Sequence, residues 1–285
     1  MLLIEFLQSF LFGIVEGITE WLPISSTGHI ILLNAIWPLE MSQAFYDLFE
    51  IVIQLGAILA VIILFFGKLN PFSPKKDLLQ KKNTWQLWFK IVVAILPSAV
   101  LGVLLDDPLD TFLRNTKVLD TDLNTFVVAA ALILYGIAFI VVENKKGSDS
   151  FRIREVTAID YKTALLIGTF QCLSIIPGTS RSGATILGAI LLGVSRSAGA
   201  EFSFFLAIPT MLGASALKLL MFIKDGVVAT SAEIGMLLVG CAVSFVVSLV
   251  VIKFLMDFVR KHTFSSFAIY RIALGVLVLA FFTLR

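Results

Sequence analysis

Glu16 and Glu20 stand four residues apart inside an apolar stretch, Phe10-Leu11-Phe12-Gly13-Ile14-Val15-Glu16-Gly17-Ile18-Thr19-Glu20-Trp21-Leu22. A helix over this stretch puts both carboxylates on one face. In hydrocarbon each costs at least ~2.5–3.5 kcal/mol, and side by side they repel. Such a pair is kept where a metal, a proton or another cation uses it. Hard oxygen ligands of this kind suit Mg²⁺ or Ca²⁺ bridging to a phosphate. Directly after the pair comes Pro23-Ile24-Ser25-Ser26-Thr27-Gly28-His29. His29 can act as acid, base or nucleophile. Ser25, Ser26 and Thr27 place hydroxyls within a turn of it, and Ser26 is three residues away, within reach on a helix or in a tight loop.

A second cluster lies about 150 residues on: Pro177-Gly178-Thr179-Ser180-Arg181-Ser182-Gly183-Ala184-Thr185. It opens an apolar helical stretch. Hydroxyls and backbone N–H groups at a helix start favour an anion, aided by the helix dipole. Arg181 adds a planar fork suited to phosphate oxygens. The plainer alternative is a kinked turn whose Arg pairs with a buried Glu. Together the parts amount to a cation site, a nucleophile, an acid–base group and a phosphate clamp. That set fits phosphoryl transfer, which relies on positioning and charge neutralisation, on a substrate that arrives in the lipid.

The elements that must position these residues are membrane elements. Of 285 residues, 58% are hydrophobic and 15% charged, and mean hydropathy is +0.97; soluble domains carry about 25% charge. Such a chain is helical, because a lone strand cannot satisfy its backbone in lipid. The N-terminal stretch has no basic region or small-residue cleavage pattern and carries Glu5, so it is not read as a removable signal. Cys172 and Cys241 both lie in apolar segments and read as packing residues, with no disulfide or zinc pattern.

Candidate spans cover about 44–66, 85–105, 124–143, 202–222, 234–256 and 267–284. Two further apolar regions, about 5–37 and 163–195, are broken near the middle by Pro, Gly and Ser. Broken segments of this kind suggest re-entrant hairpins whose irregular tips line a polar cavity. The connections fix the orientation. Lys68, Lys75, Lys76, Lys81 and Lys82 fill 67–84; Lys145, Lys146, Arg152, Arg154 and Lys162 fill 144–162; Arg260 and Lys261 follow 256. By contrast 106–123 holds only Arg114 and Lys117, and 223–233 only Lys224. The basic connections are placed in the cytoplasm and the others outside. The first hairpin then enters from outside, the second from inside, and both termini lie outside.

Leu11-Phe12-Gly13-Ile14-Val15-Glu16 parallels Leu166-Ile167-Gly168-Thr169-Phe170-Gln171. The expected fold is therefore an all-α integral membrane protein, one membrane domain over 1–285. It has six transmembrane helices plus two re-entrant helical hairpins in an inverted-topology repeat, with halves at about 1–143 and 160–285. The tips would meet near the midplane and join the two polar clusters. Glu143 and Arg271 are read as structural partners. Glu50, Gln54 and Glu201 are read as groups able to support the site from behind.

The two clusters resemble the signatures of the bacterial undecaprenyl-diphosphatase family of the bacitracin-resistance type. Phe49-Glu50-Ile51-Val52-Ile53-Gln54-Leu55-Gly56, Glu201-Phe202-Ser203-Phe204 and Phe267-Ala268-Ile269-Tyr270-Arg271 extend the resemblance over essentially the whole chain. It implies hydrolysis of undecaprenyl diphosphate to the monophosphate and inorganic phosphate, which recycles the lipid carrier of peptidoglycan and other envelope polymers. It also implies a divalent cation, Mg²⁺ or Ca²⁺, a homodimer in the bacterial cytoplasmic membrane, a site opening to its outer face, and no nucleic-acid partner. Glu16 and Glu20 fall on the metal motif. Ser26, His29 and Glu20 are the catalytic candidates, with Ser26 as nucleophile and His29 as its base and acid. Ser25, Thr27, Thr179, Ser180, Arg181, Ser182 and Thr185 are the phosphate-binding candidates. A second membrane phosphatase type, the acid-phosphatase-like one, needs another membrane-edge histidine. The chain offers only His262, in a basic turn. The competing class is a lipid-phosphate transporter or flippase using the same midplane site.

Overall fold

The computed structural model describes residues 2–39, 41–118, 121–147 and 150–284. The connections expected at 106–123 and 144–162 thus each contain two residues outside the described set. Eleven α-helices run through the described residues: α1 Leu2–Thr19, α2 Ser26–Ile36, α3 Gln43–Leu64, α4 Phe66–Leu69, α5 Leu78–Asn115, α6 Leu123–Lys145, α7 Tyr161–Gln171, α8 Arg181–Leu191, α9 Arg196–Lys224, α10 Ser231–Lys261 and α11 Ser265–Thr283. Six of them, α3, α5, α6, α9, α10 and α11, are long and apolar enough to cross a membrane, at the six expected places.

α5 differs from expectation at both ends. It starts at Leu78 because Asp77 and Gln80 close a reciprocal capping box. It runs on past the apolar part to Asn115, through Pro97 and Pro108. Its 38 residues span about 57 Å, far more than the ~30 Å of a hydrocarbon core, so it projects beyond the bilayer. A two-residue antiparallel ladder, Lys117–Val118 with Thr121–Asp122, follows it.

Small residues decide which helices touch. A Cβ on Gly13 would sit 2.7 Å from the carbonyl of Gly240, and one on Gly17 2.8 Å from that of Ser244. Gly13 and Gly17 thus form a four-residue stripe facing Gly240 and Ser244 on α10, the close backbone approach that drives helix association in lipid. Ser248 completes the row by donating to the carbonyl of Gly17 at 3.3 Å. Gly168 on α7 seats against Ala94 on α5 in the same way, and Gly56 on α3 against Cys241 on α10. The first helix therefore packs against the penultimate one, and the first helix of the second half against α5.

The two broken regions have matching form. α2 and α8 each contain 11 residues, and their start points lie 155 residues apart. Each is preceded by a serine in the left-handed region, Ser25 at φ 71° and Ser180 at φ 69°, the only non-glycine residues with positive φ among those described. Non-glycine residues held there cost about 1–3 kcal/mol and cluster at functional sites.

Candidate active site

Arg271 holds the two breaks together. It comes from α11, is fully buried, and donates to the carbonyls of Pro23 at 3.1 Å, Gly178 at 2.9 Å and Thr179 at 2.9 Å. One guanidinium thus satisfies orphan carbonyls from both tips, and its carbon lies 5.5 Å from the Tyr135 ring. Ser182 adds a second tie, donating to the carbonyl of Glu20 at 3.1 Å. The structural role read for Arg271 holds, with carbonyls rather than an acid as partners.

Fastened this way, the tips bring Glu20, Ser26 and Arg181 into one cluster. Arg181 Nη2 donates to Glu20 Oε1 at 2.9 Å, across 161 residues of sequence, and Nη1 donates to the carbonyl of Ser203 at 2.8 Å. Both side chains of the ion pair are nearly buried. Ser26 Oγ donates to Glu20 Oε2 over a long 3.5 Å. The plainer reading of Arg181, paired with a buried Glu, therefore describes its contacts here, and the same fork stands at the mouth of the cluster.

The expected contact between Ser26 and His29 is not formed. His29 turns the other way: Nδ1 donates to the carbonyl of Ser25 at 2.7 Å, and Nε2 meets the Tyr270 hydroxyl at 2.7 Å. Helical geometry explains this. Once Ser26 opens α2, the ring of His29, one turn along, can reach back to the Ser25 carbonyl. The Ser26 hydroxyl turns to Glu20 instead.

The remaining phosphate-binding candidates divide. Ser180 caps α8 by accepting from the Gly183 amide at 3.1 Å, and its Oγ lies 3.1 Å from that of Ser182. Thr185 donates to the carbonyl of Arg181 at 2.9 Å and meets Ser203 Oγ at 2.6 Å. Thr179 is buried, and Ser25 is buried with an unpartnered hydroxyl. Thr27 lies on an exposed face of α2. Ser180, Ser182 and Thr185 thus shape the tip, whereas Ser25, Ser26 and Arg181 keep capacity for a ligand.

Glu16 is fully buried, and neither of its carboxylate oxygens meets a donor among the described residues. Its acidic neighbours are Glu20 and Glu50, so Glu50 does stand behind the site. An orphan buried carboxylate fits a divalent cation. No group of three His, Cys, Asp or Glu side chains at metal-binding spacing occurs among the described residues. Such a cation would hence keep waters and take phosphate oxygens, the habit of Mg²⁺. Glu201 lies elsewhere, paired at 2.6 Å with Lys68 in the last turn of α4. Glu143 takes a two-pronged contact from Arg196 Nε at 3.0 and 2.9 Å and accepts from the Phe264 amide at 3.0 Å, the structural pairing expected of it.

The chain matches the family model described as "Bacitracin resistance protein BacA" over residues 9–277. It belongs to the BacA family. Among curated relatives it is 56% identical over 278 residues to the undecaprenyl-diphosphatase of Enterococcus faecalis, covering 97% of this chain and 96% of that one. It is 52% identical over 279 residues to that of Latilactobacillus sakei, covering 98% of each. It is 52% identical over 282 residues to undecaprenyl-diphosphatase 1 of Clostridioides difficile, covering 99% and 98%. The BacA match takes in both tips and α11 as far as residue 277, and so every residue of the cluster. Tyr270 is the site residue that sequence reasoning left without a role. A half-exposed phenol one residue before a buried Arg gives no sign of a partner 241 positions away.

Proposed function

We propose that this protein hydrolyses undecaprenyl diphosphate to undecaprenyl phosphate and inorganic phosphate, returning the lipid carrier to peptidoglycan and envelope synthesis and thereby raising bacitracin resistance. The observation that carries the reading is the cluster of Glu20, Arg181 and Ser26, drawn from two intramembrane breaks. It unites an anion fork, a hydroxyl and a base in a multi-pass membrane protein.

In this reading Arg181 turns its fork to the terminal phosphate. Ser26 Oγ attacks the terminal phosphorus, its proton passes to Glu20, and the lipid monophosphate leaves. Water then cleaves the phosphoseryl bond and releases inorganic phosphate. His29, one helical turn on, supplies the second acid–base group, with Nε2 as its basic atom because Nδ1 is committed to the Ser25 carbonyl. Glu16 and Glu20 would hold the divalent cation, Mg²⁺ or Ca²⁺, which neutralises phosphate charge. Ser25 and Thr27 are the remaining hydroxyls near the phosphates, and Thr179, Ser180, Ser182 and Thr185 keep the clamp in shape.

Purified protein supplied with the lipid diphosphate and Mg²⁺ is expected to release phosphate. Glu16→Gln should raise the cation concentration needed for half-maximal rate by about tenfold or more, since a carboxylate ligand becomes a neutral amide. An unchanged cation titration would remove Glu16 from the metal site. Binding of the lipid without phosphate release under any cation would turn the reading to a lipid-phosphate carrier.

In the same reading the protein works in the bacterial cytoplasmic membrane as a homodimer, with its site open to the outer face. The site lies within one membrane domain built as an inverted repeat of about 1–143 and 160–285, each half contributing a re-entrant hairpin. The equal lengths of α2 and α8, their strained serine caps and the reciprocal packing of α1 on α10 and α7 on α5 support that symmetry. Single cysteines at the exposed positions of Lys75 and Lys145 should react with an impermeant thiol reagent only from the cytoplasm, and at that of Lys117 only from outside, in a chain lacking Cys172 and Cys241. Labelling of position 117 only from the cytoplasm would invert the topology.

A further inference from the structure

Tyr270 stands beside the catalytic cluster with no part in the scheme above. It belongs to α11, whose rotation is fixed by its neighbour Arg271 through three carbonyls of the tips. That fixed rotation sets the phenol ring nearly parallel to the His29 imidazole, at 9° with centroids 5.6 Å apart, and its oxygen 2.7 Å from Nε2. The residue is about half exposed, at 46%. A phenol at a lipid-facing position seeks a partner for its O–H, and Nε2 of His29 is the partner found.

The opposite ring nitrogen determines what this contact is. The Ser25 carbonyl can only accept, so Nδ1 carries a proton. In neutral His29 the lone pair is therefore on Nε2, and Tyr270 O–H donates to it. In protonated His29, Nε2–H donates to the phenol oxygen instead. A hydroxyl both donates and accepts, so this contact survives gain and loss of the proton, where an ammonium, which only donates, would lose it in one state. Arg271 is the charged group that acts on His29. A guanidinium only donates, and two of its nitrogens are committed to carbonyls of the tips, so it offers Nε2 no competing acceptor.

We propose that Tyr270 is a positioning residue for His29: the Ser25 carbonyl fixes the tautomer, and the phenol holds the imidazole in one orientation and caps Nε2 until the reaction draws on it. The proposal rests on the phosphatase reading for the use of His29, but not for the contact itself. Tyr270→Phe keeps the ring stack and removes only the hydroxyl, which makes it the clean variant.

The experiment uses the purified full chain carrying His262→Asn, so that His29 is its sole histidine, with diethyl pyrocarbonate as the probe of a free imidazole nitrogen. Acylation of His29, followed by mass, should run about two- to tenfold faster in Tyr270→Phe, the range set by losing one neutral hydrogen bond. Thermal unfolding in detergent should be unchanged, and kcat should fall by about tenfold, with KM unmoved, less than the ~10²-fold or more that loss of a whole acid–base group costs. An unchanged acylation rate overturns the proposal, because Nε2 was then not capped. A rise in KM with kcat intact also overturns it, because the phenol then binds substrate. Faster acylation in a protein that never releases phosphate leaves the Tyr270–His29 contact in place and removes the phosphatase reading.

Discussion

Glutamine at position 20 should lower phosphate release by about a hundred- to a thousandfold, with little lost affinity for the lipid tail. The Glu20 carboxylate meets a side chain from each break, Arg181 at 2.9 Å and Ser26 at 3.5 Å. The amide removes the counter-charge of a nearly buried guanidinium; breaking such a pair from one side costs about 3–5 kcal/mol, and each ~1.4 kcal/mol is a decade in rate. It also removes the nearest base to Ser26 Oγ. Ser26→Ala should be comparably slow. Combined with Glu20→Gln it should be no slower than the slower single variant, since groups acting as one unit are non-additive. Steady-state phosphate release from the three proteins, with lipid binding measured alongside, checks this. If the two losses multiply, Glu20 and Ser26 act separately. If Ser26→Ala keeps substantial turnover while His29→Ala is dead, the nucleophile is His29 or an activated water.

Arg271→Met is expected to be the most damaging single change outside the cluster, costing stability as well as activity. It leaves the carbonyls of Pro23, Gly178 and Thr179 without donors in a dry interior, and each unpaired buried group costs about 1–3 kcal/mol. Bonds between membrane helices are worth less on average than that figure suggests, so a total of about 2–5 kcal/mol is expected. Arg271→Lys should rescue little, because a single ammonium cannot copy the fork that reaches both tips. Thermal unfolding in detergent and phosphate release should fall together. A variant that unfolds at the wild-type temperature with wild-type turnover would show that the tips hold without Arg271. The contrast with Tyr270→Phe, on the next residue of the same helix, separates loss of scaffold from loss of positioning.

The six spans and both polar breaks were readable from hydropathy, because distance from water is a property of each residue by itself. Partner choice is a property of two residues at once, and there the reading ran out. Arg181 beside hydroxyls signals an anion, yet its partner in the fold is Glu20, as the plainer alternative had it. Ser26 and His29 suit each other by spacing, yet across a helix start set by a left-handed Ser25 they meet Glu20 and Tyr270 instead. That turn is invisible in composition, since a serine is an unusual choice for positive φ. α5 overran its expected end because a helix stops where its caps are, not where its apolar residues stop. Glu201 read as a group supporting the site because it is an acid at the end of an apolar span; Lys68 of α4, far away in sequence, is its partner instead.

The seam between α1 and α10 bears on how the chain is made. Ser9 donates to the carbonyl of Met236, 227 residues later. At ~5–20 residues per second of synthesis, α10 follows α1 out of the ribosome by roughly ten to fifty seconds. Throughout that interval the stripe of Gly13 and Gly17 has no partner, and Glu20, just past the end of α1, gains Arg181 only after 161 further residues. The nascent chain must keep this helix parked at the translocon or against other protein until the last third of the sequence is inserted. Assembly of this protein is therefore timed by its C-terminal half.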